Sequence, residues 1–529
     1  MAPGCAARSL FLLFFTALAS LLPTSQGQPL PAAEAKETVT VGLIIDAASP
    51  VGRIANTTIP MALEDFYAAY PNSSARVQVL MHDSGGDVIA AASTALQLMT
   101  TQGARAILGP QSSAESAFVA DLATRAEVPV VSFSATSPSV SPSAAGSRFF
   151  VRAAVSDAAQ AGAIAALAAY FGWRRVVPVY QDDDYGAAFV PYLVDALTAA
   201  GAETRAFVVH ARPALAERVL AAAEEAGMMA AGYAWVITGG LTCLLGSVRP
   251  PQGVIGLAPY VPPSTTPRLR DVRRRWAHRF MRDHRDADPA EAEMGCFALW
   301  AYDAAWAVAS AAERLGPGDL LPPPGLVGGR SGPTDFSGLG KSTSGKKFLA
   351  EITNTTFDGL SGRFHLVHGE LTVPAFRVVN IVDNAKERSI GFWTPKRRLT
   401  RRLGSTSKDD SGLGPVIWPG DSTVVPRGWV QPTSGRKLRV AVPGGRVDPG
   451  YRAIIHLDVD PATNRTVAGG YVIEVFEAAV RLLPYALPFE YVLVPSMPYD
   501  SLIKKVSHGT LRSAAVELKL HLSAQLVRR

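Results

Sequence analysis

A chain of 529 residues exceeds one ordinary domain, and 48% hydrophobic with 18% charged residues excludes a mostly disordered protein. The 51 basic and 45 acidic side chains leave a formal charge of +6, too thin a bias over this length to point to nucleic acid. Three cysteines and nine scattered histidines exclude a disulfide-dense scaffold and a four-cysteine zinc ribbon.

The chain opens with a lone Arg8, an apolar run to Leu22, and then Pro23 with small residues. This is the pattern of a secretory signal peptide over residues 1–27, cleaved after Gly27; an apolar run of about 14 residues is too short for a span. Asn-x-Ser/Thr sequons at Asn56, Asn72, Asn354 and Asn464 agree with passage through the secretory pathway. From Val39 onward, β-branched runs alternate with alanine-rich ones. Strands are expected at Val39–Asp46, Arg76–Met81, Arg105–Leu108, Val128–Ser134, Phe149–Val155, Arg175–Tyr180, Arg205–His210, Trp235–Thr238 and Val254–Ala258. Helices are expected between them at Ile59–Ala69, Val88–Thr100, Ala114–Arg125, Ala158–Phe171, Ala187–Ala199 and Leu215–Ala226. Short buried strands separated by helices imply right-handed βαβ units, and this many strands imply two doubly wound lobes of an α/β fold. Arg268–Arg285 carries Leu269, Val272, Trp276 and Phe280 at helical spacing and reads as an amphipathic helix with a solvated arginine face. Cys296–Ala312 is apolar but holds Asp303 at its middle, which favours a buried core helix over a membrane span. Nothing after residue 27 is expected to cross a bilayer. Residues 316–347, rich in Gly, Pro and Ser, read as a loop. Turns at Asp358-Gly359, His368-Gly369 and Asp383-Asn384 mark hairpins up to Pro395. Residues 396–436 read as a linker. A new strand is expected at Leu438–Val442, a helix at Tyr471–Leu483 and a strand at Phe489–Val494.

Catalytic motifs are missing from the sequence. Gly340-Lys341-Ser342 resembles the end of a P-loop, but Asp335 stands where its first glycine belongs. No G-x-G-x-x-G follows the first strand, and there is no nucleophile elbow and no H-E-x-x-H. His365 and His368 fall in a hairpin on opposite faces, a poor metal pair. The sequence therefore points to no enzyme, no metal and no cofactor, and to a ligand cleft at the carboxyl ends of strands.

Three loops could line that cleft. Gly109-Pro110-Gln111-Ser112-Ser113 opens a helix, whose free N–H groups and hydroxyls suit a carboxylate. Ser134-Ala135-Thr136-Ser137-Pro138 adds hydroxyls, and Asp182 with Tyr185, after a strand of the second lobe, suits an ammonium group. Together they match a zwitterionic amino acid; equally, they are turn caps and solvated loop acids.

Many separated segments resemble the plant glutamate receptor-like channels: Asp65-Phe66-Tyr67-Ala68, Gly109-Pro110-Gln111-Ser112-Ser113, the run Val128–Ser139, Phe171-Gly172-Trp173, Gly227-Met228-Met229, the run Leu299–Ala305, Gly391-Phe392-Trp393-Thr394-Pro395, Ile417-Trp418-Pro419-Gly420 and the run Gly470–Ala478. The resemblance runs from Thr38 to Val506. It implies a bilobed domain over 38–395 like the type I periplasmic amino-acid-binding proteins, then an incomplete second α/β clamshell over 437–506 and an unmatched tail over 507–529. By the same resemblance Ser112, Ser113, Ser134, Thr136 and Tyr185 hold an amino acid such as glutamate, and other receptor subunits are partners. Relatives carry Cys where Thr58 stands; of the remaining cysteines, Cys243 and Cys296 either pair or sit as buried thiols. The family enters its pore after the second clamshell, so a chain ending at Arg529 is expected not to conduct ions alone. The expectation is the extracellular region of a plasma-membrane glutamate receptor-like channel, or else a stand-alone secreted amino-acid-binding protein.

Overall fold

The computed structural model describes residues 37–173, 176–199, 206–261, 266–316, 319, 339–383, 386–405, 407, 410–426, 438–443, 453–454, 456–460, 465–481 and 489–494. The expected signal peptide, the Asn464 sequon and the tail over 507–529 lie outside them, as does most of the expected loop over 316–347. The chain divides into two compact units, at Gly428 and Trp429.

The first unit holds two seven-stranded sheets. In chain order the first lobe begins β1 (Glu37–Ile45), α1 (Pro50–Ala69), β2 (Ala75–Asp83), α2 (Val88–Thr100), β3 (Ala106–Leu108), α3 (Ser113–Ala126), β4 (Val130–Ser132) and β5 (Phe150–Arg152). These five strands pair in parallel. The chain then crosses to the second lobe: α4 (Ala158–Phe171), β6 (Val176–Tyr180), α5 (Asp184–Ala187), α6 (Val190–Ala199), β7 (Ala206–His210), α7 (Pro213–Glu225), β8 (Ala234–Ile237), α8 (Gly239–Thr242) and β9 (Ile255–Pro259). It returns with α9 (Pro267–Asp283) and α10 (Cys296–Arg314), which pack on α1, followed by α11 (Gly345–Asn354) on α10. A small hairpin, β10 (Phe357–Asp358) and β11 (Arg363–Phe364), precedes β12 (Leu366–Val367) and β13 (Glu370–Leu371) at the edge of the first sheet. A third crossing leads to β14 (Phe376–Val382), β15 (Lys386–Thr394) and β16 (Arg398–Thr400), antiparallel additions to the second sheet. Strand orders are β12-β13-β5-β4-β3-β1-β2 and β16-β15-β14-β9-β8-β7-β6.

The physics of these lobes is that of parallel sheets covered on both faces. Val41, Leu43, Ile44 and Ile45 of β1 are all buried, a continuous apolar run rather than an alternating one. On α9 the four apolar residues at helical spacing are the buried ones; Arg268, Arg270, Arg274, Arg275 and Arg282 are exposed, and Arg273 and Arg279 are partly buried. The helix α1 starts at Pro50, nine residues before the expected Ile59. Ser49 caps it by accepting from the Gly52 N–H, and Pro50 occupies the first turn, where its missing N–H costs nothing. Thr58, inside α1, donates to the Ile54 carbonyl and accepts from the Trp276 indole at 2.8 Å.

The expected linker over 396–436 requires correction. Its first part belongs to the second lobe: β16 pairs with β15, and Leu399, Leu413, Val416 and Trp418 are buried. Trp418 packs edge-on against Phe171 and Trp173, and Asn380 accepts from the Ile417 N–H at 2.8 Å. A Gly/Pro/Ser-rich composition masked four widely spaced anchors.

The second unit contains β17 (Leu438–Pro443) and β20 (Phe489–Val494), paired in parallel, an antiparallel hairpin of β18 (His456–Asp460) and β19 (Arg465–Gly469), and α12 (Tyr471–Arg481). The hairpin was not expected. On α12, Ile473 and Phe476 are buried and Ala479 is exposed.

Candidate ligand-binding cleft

Between the two lobes lies a cleft of about 790 Å³, built by the loops at the carboxyl ends of the strands. Gly109 opens the first wall at φ +88, and a Cβ there would meet the Ile44 carbonyl at 2.3 Å, so only glycine makes this turn. Ser112 caps α3 in a reciprocal box. Its hydroxyl donates to Glu115 Oε2 at 2.6 Å and accepts from the Glu115 N–H, while the Ser112 N–H donates to the same carboxylate at 3.0 Å. Ser134 donates to the Gln111 carbonyl at 2.8 Å. Ser113 accepts from the Ser137 N–H at 3.2 Å. Ser112, Ser113, Ser134, Thr136 and Tyr185 thus all line one cleft, but the Ser112 and Ser134 hydroxyl protons are already spent on the protein's own acceptors.

The Ser134–Thr136 loop is held from behind by Arg152, whose side chain is fully buried. Its guanidinium donates to the carbonyls of Ala135 at 2.6 Å, Ser137 at 2.9 Å and Val140, and to Glu370 at 3.2 Å. Burial pulls its pKa down while Glu370 opposes that shift. This cluster fixes the loop's carbonyls on the buried side and leaves Thr136 facing the cleft.

From the second lobe, Asp183 caps α5 and brings Tyr185 across to Thr136, with which its hydroxyl is hydrogen-bonded. Burial pushes the Tyr185 phenol well above its usual range. Its ring stacks on His210 at 4.6 Å, and a Cβ on Gly240 would stand 3.0 Å from its hydroxyl. Arg212 lies 5.8 Å from the Tyr185 ring centroid and pairs with Asp183 at 3.2 Å. Asp182 is exposed and does not line the cleft; the neighbouring Asp183 does.

Two residues not singled out from the sequence sit beside this contact. Asp157, 3% exposed, precedes α4 and donates its N–H to the Thr136 carbonyl at 2.9 Å. Its Oδ1 accepts from Gln160, whose other amide atom accepts from the Gly239 N–H at 2.7 Å. Its Oδ2 has no hydrogen-bond partner and lies 3.9 Å from His210 Nε2, which is likewise buried and unpartnered. Burial lowers the His210 pKa against the pull of Asp157. Glu115 Oε1, in the cleft lining, is also buried without a partner.

A second cavity, about 500 Å³, adjoins the disulfide between Cys243 and Cys296, whose Cα atoms are 5.2 Å apart. Cys243 follows α8 of the second lobe and Cys296 opens α10 of the first. Arg377–Glu387 and Arg249–Asp288 pairs take up part of this cavity's charge.

The family model for the receptor family ligand binding region matches residues 54–203 and 197–384. Over nearly the whole chain, glutamate receptor 2.8 of Arabidopsis thaliana is 36% identical, across 95% of this chain and 55% of its own length. The chain belongs to the plant glutamate receptor-like family. Glutamate receptors 2.9 and 2.2 of the same plant are 36% and 35% identical, over 89% and 92% of this chain and 52% and 54% of theirs. The chain thus spans about half the length of the curated relatives it matches. Among solved structures, a leucine-binding protein of Thermotoga maritima aligns with TM-score 0.51 and 19% identity over 68% of this chain and 99% of its own. A substrate-binding protein of Desulfitobacterium hafniense in complex with Leu gives TM-score 0.51 and 15% identity over 67% of this chain and all of its own. These establish the type I periplasmic-binding-protein fold for this glutamate receptor-like chain. No helix among the described residues is long and apolar enough to cross a membrane.

Proposed function

We propose that the first unit is the extracellular amino-acid-sensing and subunit-assembly region of a glutamate receptor-like channel, with no catalytic role. The observation that carries the sensing role is the interlobe contact of Thr136 and Tyr185 together with Asp157, a buried carboxylate bonded to the Thr136 carbonyl through its N–H and left with one oxygen, Oδ2, without a hydrogen-bond partner. A buried, unpaired carboxylate oxygen is costly unless a donor reaches it, and an α-ammonium group supplies a charged one. The ligand carboxylate is then held by the Ser113 and Thr136 hydroxyls, with Tyr185 closing over it. Only a ligand that touches both lobes can shift the balance between open and closed forms.

Titration calorimetry with the twenty amino acids on the purified chain tests this. At least one amino acid should bind, and Asp157→Asn should weaken it by roughly 1.5–3 kcal/mol, the range for a hydrogen bond to a charged group. Absence of heat with every amino acid contradicts the sensing role and leaves assembly.

A further inference from the structure

The lining of the cleft is strongly one-signed. It carries the carboxylates of Asp46, Glu115, Asp183, Glu217 and Glu291 and a single cation, Arg212. Two of the acids are neutralised within the protein: Asp183 by Arg212 at 3.2 Å, and Glu291 by Arg53 at 2.8 Å. Asp46, Glu115 and Glu217 face no cation within ion-pair distance among the described residues. Of these, Glu115 belongs to the cleft lining, is 0% exposed, and has its buried Oε1 without a hydrogen-bond partner. Its other oxygen is committed to the α3 cap, so the helix N-terminus that would attract an acidic ligand already holds a carboxylate.

An acidic side chain on the ligand would be brought among these groups with no guanidinium or ammonium free to meet it, because Arg212 is engaged by Asp183. A positively charged side chain would find three unpaired carboxylates, in a partly desolvated space where Coulomb terms outweigh those in bulk water. We propose that the cleft selects an amino acid carrying a second positive charge, of the lysine, ornithine or arginine class, over an acidic one such as glutamate. This rests on the cleft binding an amino acid at all. The α-ammonium group takes Asp157, and the distal cation takes Glu115 and the rim acids Asp46 and Glu217.

The test is competition calorimetry on the purified chain with L-lysine, L-leucine, L-glutamate and putrescine. Lysine should bind at least roughly tenfold more tightly than leucine or glutamate, with the margin shrinking as salt is raised. Asp46→Asn with Glu217→Gln, both on solvent-accessible positions of the rim, should cut the lysine preference several-fold and leave leucine affinity unchanged. Glutamate or leucine binding as tightly as lysine overturns the selection while the amino-acid site stands. Putrescine binding as tightly as lysine shows that no carboxylate subsite is used, and overturns the amino-acid class. Binding of none of the four, with no other amino acid giving heat, removes the site itself. An unchanged lysine preference in the double variant also overturns the proposal, because the variant's folding is reported independently by its leucine affinity.

Discussion

Asp303 lies in the middle of α10 and is 0% exposed. Its carboxylate accepts from the Leu360 and Ser361 N–H groups at 2.8 Å each and from the Ser361 hydroxyl at 2.5 Å, tying the helix to the turn before β11. Despite these donors, burial pushes the carboxyl up to about 6 from a starting value of 3.8. The native state therefore takes up a proton at higher pH than the unfolded chain. Stability from this group is full below 3.8 and is lost as pH rises through about 6. Asp303→Asn removes that dependence and turns an amide N–H₂ toward donors, at a cost of about 1–3 kcal/mol. Denaturant titrations should show the wild-type advantage over this variant larger at pH 5 than at pH 7, by about 1 kcal/mol. An equal advantage at both values contradicts the raised pKa. The same residue explains Gly359, where an added Cβ would stand 2.5 Å from the Asp303 carboxyl.

Among the elements, α3 separates what supports the cleft from what faces its ligand. Ser112 is occupied by Glu115, whereas Ser113 spends only an acceptor lone pair on the Ser137 N–H and keeps its proton. Ser112→Ala should lower stability by about 1 kcal/mol through the lost cap and change ligand affinity little. Ser113→Ala should do the reverse, as read by thermal denaturation and calorimetry on both variants. If Ser112→Ala weakens binding as much as Ser113→Ala, the cap is not the main role of Ser112. These assignments also show how much the sequence could reveal. The helices Val88–Thr100 and Ala158–Phe171 and the strand Phe489–Val494 have the bounds expected from periodicity. So do the buried positions of α9. The loops bearing Ser113, Thr136 and Tyr185 were legible because each follows a strand's carboxyl end. Asp157 was not: it reads as one more helix-capping acid, and its meaning depends on His210, distant in sequence, and on its bond to Thr136. Glu115 was hidden in the same way, as an ordinary third residue of a capping box. Arg152 reads as a strand residue, and only the fold shows it gathering three carbonyls behind the cleft.

At the scale of the whole bilobed unit, three crossings of the chain join lobes that have their own sheets and helices. That arrangement permits hinge closure. The Cys243–Cys296 disulfide ties the segment after α8 to the start of α10, and Gly246 and Gly295 stand where an added Cβ would meet the Ala290 and Cys243 carbonyls at 2.1 and 2.4 Å. Small residues let these two segments pass in contact. The lobes meet at the front of the cleft through Thr136 with Tyr185 and Ser137 with Asp184, so a ligand seated there is enclosed by both. The segments to watch are the first-lobe loops over 110–115 and 134–137 and the second-lobe loops over 183–186 and 238–241. Amide hydrogen exchange of the chain, with and without saturating L-lysine, reports on both sets in one experiment. Slowed exchange in all four segments is the expected result for an amino acid clasped between the lobes. Protection confined to one lobe, or none in any of the four, contradicts it.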